Sequence, residues 1–524
     1  MFQPRPAQAP APAAAPAAAW APPEPRSVPH EEWRKVPKWK VRYTKDCTDC
    51  GLCLPACPYG VHRRAPGSLR LGIPDDFGCL GPDCERAHPV GADPAFGPGY
   101  CVAQCPTGAI TLSKNPEWAA LGDPRWSADL LFATWTAAET GRYPRVGFER
   151  RVGESGGGFD RLRFKLRRSR HERVREAELA ELDTSLALNR RREGARISIP
   201  VPWYGGGMSY GSVGLNVMVS RARAARAWGT FTSTGEGGYP RELLDYKDHV
   251  ITQVATGMFG VSEETLLAAR IVELKYAQGA KPGLGGHLLA DKNTSAVAAM
   301  RETSPGISLF SPFPFHSVYS VEDHRKHVDW IRAVNPGALV SAKVSTPADV
   351  DMVAVGCYYG GVNLIHLDGA YGGTGAAPDI AKKNIAMPLE FAIPKVHRFL
   401  EAEGIRDEVV VMASGGIRSA HDIAKAIALG ADGAVLGTAE LVAVNCTRCG
   451  NCEAGRGCQH GIASTDPALT ALWSPDWGAQ RISNLYYALR LELAELLWRL
   501  DLKSARALRG RYDVLYHLDQ VKSA

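Results

Sequence analysis

No apolar run in this sequence reaches membrane-spanning length; the most apolar stretch, Ile423–Val444, is interrupted by Lys425, Asp432 and Glu440. A field of one charge sign is lacking as well. The formal charge is only +6 over 524 residues, with basic residues scattered among acidic ones, which argues against nucleic acid as a partner. The mixed stretch Arg163–Glu176 reads as a solvated linker or helix face, with a docking patch for an acidic electron carrier as the sharper alternative. No Walker-type or GxGxxG motif occurs, so no NAD(P)H loop is expected in this chain. The first twenty residues are almost all Ala, Pro and Gln, and proline breaks any signal-like apolar core. Residues 1–38 are therefore expected to be a disordered tail outside the fold.

Cysteine, by contrast, is plentiful: twelve of the thirteen fall in two clusters with short, metal-like spacings, which points to a reduced cytoplasmic setting. CTDCGLCLPACP places Cys47, Cys50, Cys53 and Cys57 as C-x2-C-x2-C-x3-C-P, the run typical of two-cluster ferredoxins. Cys79, Cys84, Cys101 and Cys105 form a less regular second set, Cys105 again followed by Pro. In such proteins the fourth cysteine of each run serves the other cluster. Two [4Fe–4S] centres follow, one on Cys47, Cys50, Cys53 and Cys105, the other on Cys57, Cys79, Cys84 and Cys101. A zinc ribbon is the alternative that CxxC pairs allow. The second cluster lies in one loop, NCTRCGNCEAGRGCQHGIASTDP, carrying Cys446, Cys449, Cys452 and Cys458. Thiolates so crowded repel one another unless a metal centre neutralises them, so a third iron–sulfur cluster is expected there. Cys357, alone in VAVGCYYGG, reads as a buried helix residue.

The chain divides into the tail, a ferredoxin-like module at 39–118, a connecting segment at 119–190, a barrel at 191–470 containing the cysteine loop 445–467, and C-terminal helices at 471–524 that pack on the barrel. From about Ile197 short apolar or β-branched runs alternate with helical stretches: ISIPV, GTFTST, VITQVAT, IVELKYA, LVSAKV, NLIHLD, EVVVMAS and GAVLGT. The class is α/β, a (β/α)8 barrel. Gly415–Gly416 and Gly437–Thr438 follow the last two of these strands, where barrels present backbone N–H groups to phosphate. Ile482, Leu485, Tyr486, Leu489, Leu493, Leu496, Leu497 and Leu500 make one apolar helix stripe, expected to pack on the barrel.

GGMSYGSVG, STGEGG, QVATGMFGV, KYAQGAKPGLGGH, SPFPFHSVYS and DGAYGGTGAAP resemble, in order and spacing, the FMN-binding synthase domain of the glutamate synthase family, from about residue 190 into the C-terminal tail. With the ferredoxin-like module in front, the chain is similar to the short, archaeal-type form. The resemblance implies that FMN is held by Gly207, Met208, Ser209, Gln253, Lys343, Gly372, Gly373 and Thr374, with Lys343 beside N1 of the reduced ring. It assigns Lys281 to the 2-oxoglutarate pocket and Glu236 to the reacting carbon and ammonia entry, with Lys275 and Gln278 in the same motif. His287 stands where the family usually has Gln, and is taken as a third catalytic-site residue; His316 also fits the family pattern. The family's three-cysteine loop carries a [3Fe–4S] centre; Cys449 is extra here, so [4Fe–4S] is expected over [3Fe–4S].

The implied reaction is reductive amination: ammonia condenses with 2-oxoglutarate to 2-iminoglutarate, and hydride from FMN gives L-glutamate, with electrons arriving through the clusters. The chain begins Met1-Phe2-Gln3, without the N-terminal catalytic cysteine of glutamine-hydrolysing members, so ammonia comes free or from a separate glutaminase subunit. Reducing power is expected from a ferredoxin or from an NADPH-oxidising flavoprotein subunit. Two alternatives remain: the synthase subunit of an N-methylglutamate synthase, and a subunit in which FMN and clusters only relay electrons.

Overall fold

The computed structural model describes residues 20–29, 36–84, 101–144, 148–150, 158–168 and 172–521. At its centre run eight parallel strands: β1 (Trp203–Gly205), β2 (Thr232–Ser233), β3 (Val250–Ala255), β4 (Ile271–Lys275), β5 (Leu339–Ser345), β6 (Leu364–Asp368), β7 (Val410–Ser414) and β8 (Gly433–Leu436). Each pairs with the next, and β8 pairs with β1 through Ala434↔Trp203 to Leu436↔Gly205. The ring closes between β1 and β2, where Gly205 N donates to Phe231 O at 2.8 Å and Gly207 bridges Ser233. The expected (β/α)8 barrel is the architecture found.

Parallel strands covered on both faces are buried throughout; every residue of β3 and of β5 is inaccessible. Polar side chains at buried strand positions therefore stand out. Gln253, Glu273, Ser341, Lys343, His366, Asp368 and Ser414 are all such positions.

ISIPV, expected as the first barrel strand, is not one. Pro200 and Pro202 cannot donate to a ladder, and Ser198–Ile199 pairs instead with Leu186–Ala187 as a small hairpin. That hairpin plugs the N-terminal end of the barrel, packing Leu188 and Ile199 with Tyr204, Ile271, Leu339 and Met412. The first true strand starts three residues after Pro200, at Trp203.

The connecting segment is core. Helix α1 (Ala128–Thr140) starts at Ser127, whose hydroxyl accepts Leu130 N–H at 3.4 Å, and stops at Gly141 with φ of 75°. Trp118 stacks on Phe132 of α1 at 4.1 Å. Two further helices matter to the site: α2 (Leu215–Ala227), the crossover after β1, and α3 (Thr438–Ala443) after β8. The C-terminal helix α4 (Pro475–Arg499) is capped by Ser474, with proline at its first turn. Its stripe from Ile482 to Leu497 is buried against α1 and α2, as expected for packing on the barrel. After α4 come only short helical turns and one strand: Leu515–His517 pairs with Leu162–Phe164, stitching the C-terminus to the connector, and a single helical turn, Leu518–Val521, follows.

Residues 20–29, assigned to the tail from composition, are docked. Val28 N donates to Glu139 O of α1 at 2.9 Å, Asn484 of α4 donates to Arg26 O at 2.7 Å, and the Trp20 ring lies 5.6 Å from Trp228. Fixed partners for the backbone and a half-buried ring outweigh the entropy of a Pro-rich segment; residues 1–19 and 30–35 of the tail lie outside the described residues.

The cysteine-rich module is tied by an antiparallel pair, Trp39–Tyr43 with Ile110–Lys114, over a small core of Val41, Cys53, Val61 and Ile110. In the mixed-charge stretch Arg168 stacks on Trp498 at 4.5 Å and pairs with Asp501 at 2.9 Å. Among the described residues no helix is long and apolar enough to cross a membrane.

Candidate active site

A cavity of about 310 Å3 opens at the C-terminal ends of the barrel strands, the end at which such barrels place their chemistry. Every barrel residue singled out from the sequence as catalytic or cofactor-binding lines it, from Gly207 to Thr438, and so do Lys275 and Gln278. His316 does not; it is exposed on a surface loop.

The floor is a continuous hydrogen-bonded chain across five strands, β3 to β7. Glu273 of β4 accepts from Gln253 Nε2 at 2.7 Å and faces His366 Nδ1 at 2.9 Å. His366 Nε2 lies 2.7 Å from Ser414 Oγ, and Ser414 donates to Asp368 Oδ1. Asp368 in turn pairs with Lys343 Nζ at 3.3 Å. Burial alone would raise the Glu273 carboxyl, but His366 and Lys343 outweigh it and bring it down to about 2. Burial likewise disfavours the charge of Lys343; Asp368 and Glu273 more than offset this and hold it above the usual lysine range. Two carboxylates therefore fix a permanently charged Lys343 in the floor.

One wall is glycine. Gly415 and Gly416, with φ of 112° and 77°, turn the chain over the end of β7 in a conformation only glycine takes without strain. A β-carbon at Gly416 would also run into the guanidinium of Arg125. Gly437 has open space, only Met208 Cε lying 3.7 Å from a notional β-carbon. A second wall is cationic. Lys275 Nζ donates to Glu236 Oε2 at 2.7 Å, and Arg301 reaches Ser209 Oγ at 3.2 Å. Burial would lift Glu236; Lys275, followed by Arg301 and Lys281, outweighs it and holds the group below the usual carboxylate range. Lys281 is pulled below the usual lysine range by burial, Glu236 partly opposing. Its ammonium touches His287 Nδ1, and His287 Nε2 lies 3.1 Å from Glu453 Oε1.

The third wall is the cysteine loop, with Cys446 and Cys452 facing the cavity. Arg448 fastens it, donating to Gly373 O at 2.6 Å and with two nitrogens to Asp123 Oδ2 of the connector at 2.8 and 3.0 Å. Buried Lys292 donates to Ala463 O at 2.9 Å and to Cys452 O.

None of the thirteen cysteines forms a disulfide. Burial raises Cys53, whose neighbouring charges are Cys50, Cys47 and Cys105. Burial pushes Cys101 up to about 12, and Cys57, Cys79 and Cys84 surround it. Cys446 is likewise raised to about 12 by burial, against Arg448, with Cys452 and Cys458 beside it; Cys449 adjoins Cys452. Among the described residues no three donors close round a single ion. Cys357 is fully buried in helix Val350–Tyr359, its thiol raised to about 12, as expected of an inert core residue.

Glu273, His366, Asp368, Ser414, Arg301, Arg448 and Glu453 escaped the sequence reading. The signal for the first four was present: each is a polar residue inside an otherwise apolar strand. Arg448 and Glu453 were hidden by the cysteines around them.

A charged, glycine-rimmed cavity at the C-terminal end of a closed parallel barrel, beside a cysteine loop, is the site of a (β/α)8-barrel enzyme. The conserved region of glutamate synthase matches residues 156–503 of the chain. The archaeal-type glutamate synthase [NADPH] of Thermotoga sp. (strain RQ2) is 36% identical over 92% of this chain and 95% of its own length. The archaeal glutamate synthase [NADPH] of Methanocaldococcus jannaschii is 35% identical over 91% of this chain and 95% of its own. The chain belongs to the glutamate synthase family. Flavocytochrome b2 overlays at a TM-score of only 0.43 and 16% identity, covering 78% of this chain and 82% of that chain, too distant to bear on function.

Proposed function

We propose that this chain catalyses the reductive amination of 2-oxoglutarate to L-glutamate. The observation that carries the reading is the convergence, in one cavity, of the charged Lys343 floor, the Glu236–Lys275–Lys281 wall and the cysteine loop. The balance is 2-oxoglutarate, ammonia, two electrons and two protons giving glutamate and water. Lys275 and Lys281, both lining the cavity, supply cationic donors of the kind a dicarboxylate requires. Glu236, held ionised by Lys275, accepts a hydrogen bond from ammonia and orients its lone pair toward the C2 carbonyl; water leaves and 2-iminoglutarate remains. Lys281 returns a proton as the C=N bond is reduced.

The cavity lining suits FMN: Gly415–Gly416 and Gly437–Thr438 would hold the phosphate, Gly207, Met208, Ser209, Gln253, Gly372, Gly373 and Thr374 would hold the ring, and Lys343 would supply the fixed cation. Bound FMN supplies the two-electron reduction. The three thiol sets suit multi-iron clusters, whose ligands stand apart because each binds a different iron: two [4Fe–4S] in the N-terminal module and one at the barrel. Reducing equivalents then come from a ferredoxin or an NADPH-oxidising flavoprotein subunit, and ammonia is free or delivered by a glutaminase subunit.

The test is product analysis with anaerobic, dithionite-supplied protein. Glutamate from 2-oxoglutarate and ammonium supports the proposal; N-methylglutamate from methylamine and glutamate, or no binding of 2-oxoglutarate by flavin-loaded protein, overturns it in favour of the methylamine enzyme or an electron relay.

A further inference from the structure

The proton inventory of the barrel floor carries a consequence beyond holding Lys343 in place. Glu273 takes hydrogen bonds from Gln253, Ser341 and His366, so as a carboxylate it requires a proton on His366 Nδ1. Ser414 has one hydroxyl proton and two neighbours, His366 Nε2 and Asp368 Oδ1. If Ser414 donates to Asp368, then His366 Nε2 must donate to Ser414, and His366 is an imidazolium. The other consistent arrangement has Asp368 protonated and donating to Ser414, Ser414 donating to Nε2, and His366 neutral. The two differ by concerted hops of two protons, Nε2 to Oγ and Oγ to Oδ1, with no change in total charge.

We propose that His366, Ser414 and Asp368 form a one-proton relay that sets how much of the Lys343 charge faces the flavin ring, with His366 as its positioning residue. This rests on the FMN reading above. With Asp368 ionised, its carboxylate pairs with Lys343 at 3.3 Å. Negative charge arriving in the ring site repels that carboxylate and favours the arrangement in which Asp368 is neutral and Lys343 is left to the ring. The groups facing His366 are Glu273 from β4, Lys343 as its register partner on β5, Ser414 from β7, Asp368 on its own strand and the Tyr204 ring of β1 at 6.5 Å. The pairing of Asp368 with Lys343 at 3.3 Å is that of an ionised carboxylate, so the arrangement in which Ser414 donates to Asp368 is the resting one. All three relay residues line the cavity.

Two measurements decide it. In apoprotein with 15N-labelled histidine, the His366 signals, assigned by their loss in His366→Gln, should show both ring nitrogens protonated at neutral pH; an unprotonated nitrogen overturns the relay. In FMN-loaded protein the ratio of affinities for reduced over oxidised FMN should fall about tenfold in His366→Gln, or about 30 mV in midpoint potential for a two-electron couple. It should rise in Asp368→Asn, which imitates the neutral acid; a merely structural role would move both variants the same way. Should His366→Gln fail to fold, Ser414→Ala cuts the same path and is expected to lower the ratio. Wild-type protein that takes up no FMN defeats the flavin reading and the relay with it. FMN bound with both variants unchanged, or shifted in one direction, defeats the relay alone.

Discussion

Lys281 and His287 share a hydrogen bond at the cavity wall, the ammonium of the first donating to Nδ1 of the second, whose Nε2–H points to Glu453 of the cysteine loop. His287 thus positions Lys281, the lysine proposed to meet the substrate. Removal of the acceptor leaves a buried charge short of a partner, and an unmet charged hydrogen bond costs about 1.5–3 kcal/mol. His287→Ala is expected to raise KM for 2-oxoglutarate about 10–100-fold, while His287→Gln, which keeps an acceptor, changes it less than tenfold. Steady-state kinetics of the two variants checks this; equal KM values for both would contradict it.

Cys449 is the exposed member of its set. Cys449→Ser is expected to convert a four-iron signal into a three-iron one in EPR of anaerobically prepared protein. An unchanged spectrum would show that three cysteines hold the centre.

Arg448 joins the loop to Gly373 and, through Asp123, to the connector. Arg448→Ala is expected to lower iron and sulfide per barrel site and to slow electron transfer to the flavin at least tenfold, leaving the N-terminal module's iron content unchanged. Iron and sulfide assay with stopped-flow spectroscopy reads both; loss of iron from both modules would mean a general folding defect instead.

Much of the architecture was legible in advance because parallel strands buried on both faces write themselves as apolar runs, and the glycines and cysteines fall at the spacings their conformations and ligands require. The first strand was misplaced because ISIPV is as apolar as any strand, and only Pro200 and Pro202 say that it cannot pair centrally. Residues 20–29 were misread because composition measures what a segment could bury by itself, whereas its partners, Glu139 and Asn484, lie more than a hundred residues away. The Glu273 to Asp368 chain went unseen although its residues interrupt apolar runs, since nothing in a linear reading says that three strands, β4, β6 and β7, aim them at one point.

Acid sensitivity has a definite window. The Glu273 carboxyl lies at about 2 in the folded protein against an ordinary value of 4.5. A depressed value stabilises the fold above pH 4.5, and that contribution, on the order of 3 kcal/mol, is lost as pH falls toward 2. Urea unfolding should therefore show wild-type stability dropping from pH 5 to pH 3 more than that of Glu273→Gln. Parallel pH profiles would assign acid lability to other groups.

The account rests on a flavin in the barrel cavity whose electrons end in a C–N bond. Its most direct test is a single turnover without air: protein reduced stoichiometrically with dithionite, mixed with 2-oxoglutarate and ammonium, with flavin absorbance and glutamate followed together. The account predicts oxidised flavin reappearing in step with one glutamate per flavin. Flavin that stays reduced while both substrates are bound, with no glutamate formed, would contradict it.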